Sequence, residues 1–194
     1  MKIFRRNAQK GFTLIEMLVV IGVIVVVAGV MLANNTRFGG AVLLENFAYD
    51  VALQVRQAQV YGVSVVRFGN GNYSAPYGVH FDRSSNTSYL FFADATTNGV
   101  YDPGELVKTT TMTRGFKIGA LCATPASGNP PVEDCTMTNV DITYKRPEPD
   151  AYIAASGGVA APPYTSARVQ LISPRNDTMS VIIYNNGQIS VQRP

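Results

Sequence analysis

The sequence predicts an α+β protein: one long N-terminal helix ahead of an antiparallel, β-rich body. Three observations carry that expectation. An almost unbroken apolar run fills residues 12–33, with Thr13 and Glu16 its clearly polar members. Beyond it, Leu44, Phe47, Val51, Val55 and Ala58 recur at three- and four-residue spacing, while Glu45, Asp50, Gln54 and Gln57 occupy other angles. That is the pattern of an amphipathic helix. The remainder is rich in Val, Ile, Thr, Tyr and Gly and breaks into short alternating segments between turn residues, which favours strands.

The helical part comes first. At about 1.5 Å per residue, the 22 residues Phe12 to Ala33 reach roughly 33 Å, enough to cross a bilayer core. Asn34 to Gly40 interrupts the apolar run, and Gly39-Gly40 is expected to be a weak point, since glycine is a poor helix former. The amphipathic continuation, residues 34–62, should end near Tyr61-Gly62, where glycine suits a C-terminal cap. Residues 63–194 form the β-rich head.

Strands are expected over Val63 to Phe68, Tyr77 to Phe81, Tyr89 to Ala93, Leu106 to Met112, Phe116 to Leu121, Val140 to Lys145, Ala167 to Ile172 and Met179 to Tyr184. The last should pair with Gln188 to Gln192 through Asn185-Asn186-Gly187, a strong hairpin signal. Alternation such as Val169/Leu171 and Val181/Ile183 gives these strands one core face. Residues 122–139 and 146–166 read as long loops, the second too rich in Pro, Gly and Ala to pack regularly. No internal repeat or second domain is visible.

Charge is unevenly placed, and its placement decides what it means. The chain of 194 residues carries a formal net charge of +3. Lys2, Arg5, Arg6 and Lys10 all precede the apolar run. Setting those four aside leaves 12 basic residues against 13 acidic ones, so the body is close to neutral. The basic stub instead places the N-terminus on the cytoplasmic side of a membrane. A secretory signal would have a shorter apolar region followed by a small-residue cleavage site.

The string "KGFTLIEMLVVIGVI" resembles the class III leader and helix start of type IV prepilins and type II secretion pseudopilins. The resemblance implies a leader, residues 1–11, cut after Gly11 by an inner-membrane prepilin peptidase. It implies N-methylation of the new first residue, Phe12, and a role in assembly for Glu16, the acidic fifth residue of the mature chain. An ammonium at Phe12 and the carboxylate of Glu16 would lie at the same depth in a low-dielectric bundle. Either charge alone is penalised there, and the two attract.

The fold it implies is the pilin fold, a transmembrane and then amphipathic helix packed on a β-rich head. Within that family, the chain resembles the GspH/FimT-like minor pseudopilins. The implied partners are other pilin or pseudopilin subunits, the peptidase-methyltransferase and an inner-membrane assembly platform. The implied location is the cytoplasmic membrane, crossed once with the head outside, and then an extracytoplasmic filament. The role is a structural one, in a type IV pilus or a type II secretion pseudopilus. The alternative is a pilus-borne binding module for adhesion or DNA uptake.

The head offers few chemical candidates. "DATTNGVYDPGE" fits twelve-residue calcium-loop spacing, with Asp94, Asn98, Asp102 and Glu105 as oxygen donors, Val100 offering its carbonyl and Gly99 at the turn. Thr96 stands where Asp or Asn is usual, and the flanks are strand-like. The same stretch also reads as a wide hairpin whose acids are solvated, so Ca²⁺ is one of two expectations.

Cys122 and Cys135 have neither a CxxC pattern nor a His at metal spacing, and outside the cytoplasm they are expected to form a local disulfide. His80 has no neighbouring nucleophile or metal set in sequence and reads as structural or exposed. No catalytic serine motif, paired acids or phosphate loop stands out, so no enzyme is expected. Arg168, Arg175 and Arg193 are too dispersed to predict nucleic acid as a partner.

Overall fold

A computed structural model describes residues 11–69, 71, 73–128 and 131–193, without the side chains of 33–38. The leader cations lie outside the described residues. The architecture is α+β. One helix, α1 (Leu14–Val63), is followed by nine strands: β1 (Tyr77–Asp82), β2 (Ser88–Ala93), β3 (Leu106–Thr111), β4 (Lys117–Pro125), β5 (Asn139–Tyr144), β6 (Ala151–Ser156), β7 (Tyr164–Ile172), β8 (Thr178–Tyr184) and β9 (Ile189–Gln192). The chain divides into two units at Gly40.

In the first unit, every described side chain from Gly11 to Leu32 is exposed. Over Leu14–Leu32 the helix is long and apolar enough to cross a membrane. Gly39-Gly40, the expected weak point, does not break the helix: α1 stays helical through both glycines. Two glycines cost a helix only about 2 kcal/mol, so flanking helical residues can carry the backbone across them.

The second unit holds nine antiparallel strands in two sheets, ordered β3-β2-β1-β5-β6 and β4-β7-β8-β9. Leu44, Ala48, Val51, Val55 and Ala58 of α1 are buried in one core with both sheets. Ala48 takes the fully buried place, while the predicted Phe47 is half-buried and packs its ring 5.0 Å from Phe116. Small residues at Ala48 and Ala58 let the helix backbone approach the sheets. Val169, Leu171, Val181 and Ile183 are fully buried, as their alternation requires. Tyr184 and Gln188 join across the predicted β8–β9 turn, where Gly187 takes a φ of 82°.

Two expectations are corrected. Val63 to Phe68 is not a strand: the helix runs to Val63, a turn follows, and Val65 points to solvent. The supposed loop 146–166 contains β6, which pairs with β5 from Asn139↔Ser156 to Tyr144↔Ala151. Its alanines are weak strand formers, but β6 lies at a sheet edge and buries Ala151 and Ile153. Pairing and burial outweigh propensity there.

Candidate functional site

The helix start is built by Thr13. Gly11 to Thr13 lie outside the helix and are exposed, and Leu14 is the first helical residue. The Thr13 hydroxyl accepts a hydrogen bond from the Glu16 backbone N–H at 3.3 Å, and its carbonyl accepts from Met17 N–H at 3.2 Å. Thr13 is therefore an N-cap, and Glu16 the acidic residue of the first turn, where a carboxylate complements the positive helix end. The Thr-x-x-Glu spacing is that of a capping box. Among the described residues the Glu16 carboxylate is in no ion pair. The Gly11-Phe12 peptide thus sits in exposed, non-helical backbone just before a capped helix whose first turns are apolar apart from Glu16.

The family model for the prokaryotic N-terminal methylation motif matches residues 6–32. The N-terminus is type IV prepilin-like. The match leaves the head outside it, and no curated protein and no solved structure matches the chain. The prepilin-like motif implies processing by a prepilin peptidase and assembly with other pilin-like subunits, and its family is structural. The exposed apolar helix of this prepilin-like segment suits membrane anchoring followed by incorporation into a pilus.

In the head, the loop Asp94–Glu105 joins β2 to β3 and folds around its own carboxylates. Asp94 is 1 % exposed and Glu105 4 %. Asp94 accepts from Asn98 N–H at 3.1 Å and Gly99 N–H at 2.8 Å. Glu105 accepts from Thr96 N–H and Asp102 N–H, both at 3.0 Å. Asn98 donates its side-chain amide to Asp102 at 2.8 Å and accepts from Val100 N–H at 3.0 Å. The Thr96 hydroxyl lies 3.3, 3.3 and 3.1 Å from carboxylate oxygens of Asp94, Asp102 and Glu105. The structure brings the three acids together around Thr96, at the position where the spacing departs from the calcium-loop pattern.

Tyr101 fastens this loop to the five-stranded sheet. Its N–H donates to Asp141 at 3.1 Å, and its ring lies 5.2 Å from His80 and 5.6 Å from Phe92. His80 Nδ1 and Asp141 Oδ1 are 2.7 Å apart across the β1–β5 register. This pair was not visible in the sequence, because its members are 61 positions apart. Gly99, at a φ of 82°, packs so closely that an added Cβ would lie 2.3 Å from the Tyr152 ring.

Cys122 and Cys135 are joined by a disulfide. The Arg168 guanidinium lies 3.4 and 3.3 Å from the two sulfurs and bonds both carboxylate oxygens of Glu133, which raises its pKa through hydrogen bonding and charge. Asp134 is the second brace of this region. It accepts from the Thr136 hydroxyl at 2.6 Å, Thr136 N–H at 2.9 Å, Val159 N–H at 2.7 Å and Ala160 N–H at 2.9 Å. These donors hold its carboxyl well below the usual carboxylate range. Only an acid two residues from a Thr hinted at a local turn; the Val159 and Ala160 contacts are tertiary.

Proposed function

We propose that this chain is a minor pilin or pseudopilin. It enters the cytoplasmic membrane with its N-terminus on the cytoplasmic side and its head outside. It is cut after Gly11, methylated at Phe12 and polymerised through the N-terminal helix. The supporting observation is the coincidence of the methylation motif at residues 6–32 with an exposed Gly11-Phe12 peptide immediately before the Thr13 cap.

Cleavage would leave a new ammonium one residue before the N-cap, adding to the positive helix end, with Glu16 as the one carboxylate of the first turn. Staggered neighbours would let that amine meet Glu16 of another subunit and set axial register. A charge pair buried in this way acts on specificity of assembly more than on stability.

Mass spectrometry of the N-terminus, on protein sheared from the cell surface, tests the proposal. It expects a chain beginning with N-methylated Phe12. Recovery with the first eleven residues attached overturns it.

The binding-module alternative draws little support from the head's cations. Arg168 is occupied by Glu133, and Arg193 lies 3.9 Å from Glu45. The calcium reading of loop 94–105 is kept as a proposal on one feature: the Thr96 hydroxyl has a single proton to offer three carboxylates. Asp94, Asp102 and Glu105 would be the ligands, with Asn98 and the Val100 carbonyl completing an oxygen set suited to Ca²⁺.

A further inference from the structure

The four-stranded sheet carries two unmatched apolar surfaces at its opposite edges, since β4 and β9 are its outermost strands. At the β9 edge, Ile189 and Val191 pair with Ile183 and Val181 and share their core face, yet remain only half-buried. Above them α1 exposes Tyr49 and Leu53, the latter 65 % open to solvent. Between helix and strand lies a cleft of about 480 Å³, lined by Tyr49, Leu53, Arg56, Ile189 and Val191 among others. Val60 and Val63 extend the exposed stripe at the same three- and four-residue spacing. Arg56 is exposed in this cleft, and among the described residues it is in no ion pair.

At the β4 edge stands a braced projection. Asp134 bridges to Ala123 of β4 through hydrogen bonds of 2.8 and 2.9 Å, and the Cys122–Cys135 disulfide closes the same segment. The Asp134 carboxylate then holds Val159 and Ala160 of the β6–β7 connection. Ala126 N–H donates to the Pro163 carbonyl at 2.8 Å, tying the two loops a second time. The frame presents Val132, 74 % exposed, and Val159, 90 % exposed, with the Glu133 carboxylate between them in the chain. Two apolar side chains held out by a fixed frame have little left to lose in conformational freedom on contact.

We propose that these are the two halves of one contact between copies of this chain. The valines of one copy seat in the cleft of the next, and Glu133 approaches Arg56. The charges choose the occupant: the Arg56 guanidinium in the cleft bonds the neutral Gln59 amide oxygen and pairs with no carboxylate among the described residues, and the projection carries a carboxylate with lone pairs beyond those Arg168 uses. The two patches differ and lie on opposite edges of one sheet. The contact is therefore heterologous, the kind that builds an open filament when its rotation does not close into a ring. The inference rests on the filament reading and requires that copies of this chain stand next to one another in the filament.

The test uses the full-length chain in filament-producing cells, with Leu53→Cys and Val159→Cys combined and a bismaleimide that joins free thiols. A ladder of dimer, trimer and larger species is expected from the double variant, with only monomer from either single variant. Val132→Cys in place of Val159→Cys should give the same ladder. Intact filaments without a ladder overturn the contact while leaving the filament reading standing. Dimers from Leu53→Cys alone, or its capture of a different protein, also overturn it. Absence of filaments from the parent chain removes the filament reading and this contact together.

Discussion

Glu16 has two physical roles open to it, and they separate at the level of a single atom. Thr13 already caps the helix through the Glu16 backbone N–H, a bond that does not involve the Glu16 carboxylate. Thr13→Ala should therefore weaken the helix start by about 1 kcal/mol without abolishing assembly. Glu16→Val should still be inserted and cleaved but fail to enter filaments, and Glu16→Gln should fail equally, because a neutral amide cannot neutralise the Phe12 ammonium. Filament entry by either, in sheared-surface preparations, would count against the charge role.

For the acidic loop, calcium should raise the melting temperature of the parent, and Asp94→Ala should remove that rise. No shift at millimolar calcium would retire the metal. Asp134 predicts a pH signature. Its folded-state pKa is depressed, so its contribution is complete above the usual carboxylate value, about pH 4, and is lost as pH falls through the lower folded value. The melting-temperature gap between parent and Asp134→Asn should hold from pH 8 to 5, narrow below about pH 4 and close in stronger acid.

Close approach governs the elements. Near its C-terminal end α1 meets β5 at Gly62, where an added Cβ would lie 2.3 Å from the Tyr144 carbonyl oxygen. Backbone cannot step aside as a side chain can, so Gly62→Ala should destabilise the head by about 1–3 kcal/mol, read by chemical denaturation. The buried Gln59 fixes the same end of the helix, donating to the Pro149 and Gly187 carbonyls at 2.8 and 3.1 Å. The β8–β9 turn is thereby held to the helix as well as to its own strands. Burial also pushes the Tyr89 hydroxyl up to about 12, aided by the nearby charge of Asp50, so this tyrosine stays neutral wherever the protein works.

Across the whole molecule, the disulfide closes a loop whose ends are 13 positions apart. Replacing both cysteines by serine should cost about 3 kcal/mol, measurable as a lower denaturation midpoint that reductant no longer changes. The loss should reach beyond that loop. The same frame carries Glu133, which holds Arg168 of β7, and Asp134, which holds the β6–β7 connection. If the paired-edge contact forms filaments, these variants should also lower filament yield, while variants of the acidic loop should leave it unchanged.

Features written in neighbouring residues were legible in the sequence before any folding was considered. These are the apolar run and the Thr13-to-Glu16 helix start, the three- and four-residue spacing of the α1 core face, the β8–β9 turn, and the alternation that buries Val169 and Val181. Each needs only local geometry and the period of one element. Its misses are non-local. Val63 to Phe68 has strand-forming residues but stays out of both sheets; residues 151–156 have poor ones and gain a partner in β5. The His80–Asp141 pair, the Asp134 brace and the cleft beside β9 join groups from separate elements. No periodicity reports such meetings, because the order of strands in a sheet is settled by burial and chain connectivity over the whole head. Which edges face solvent, and so where another copy could attach, follows from the packing of the whole head.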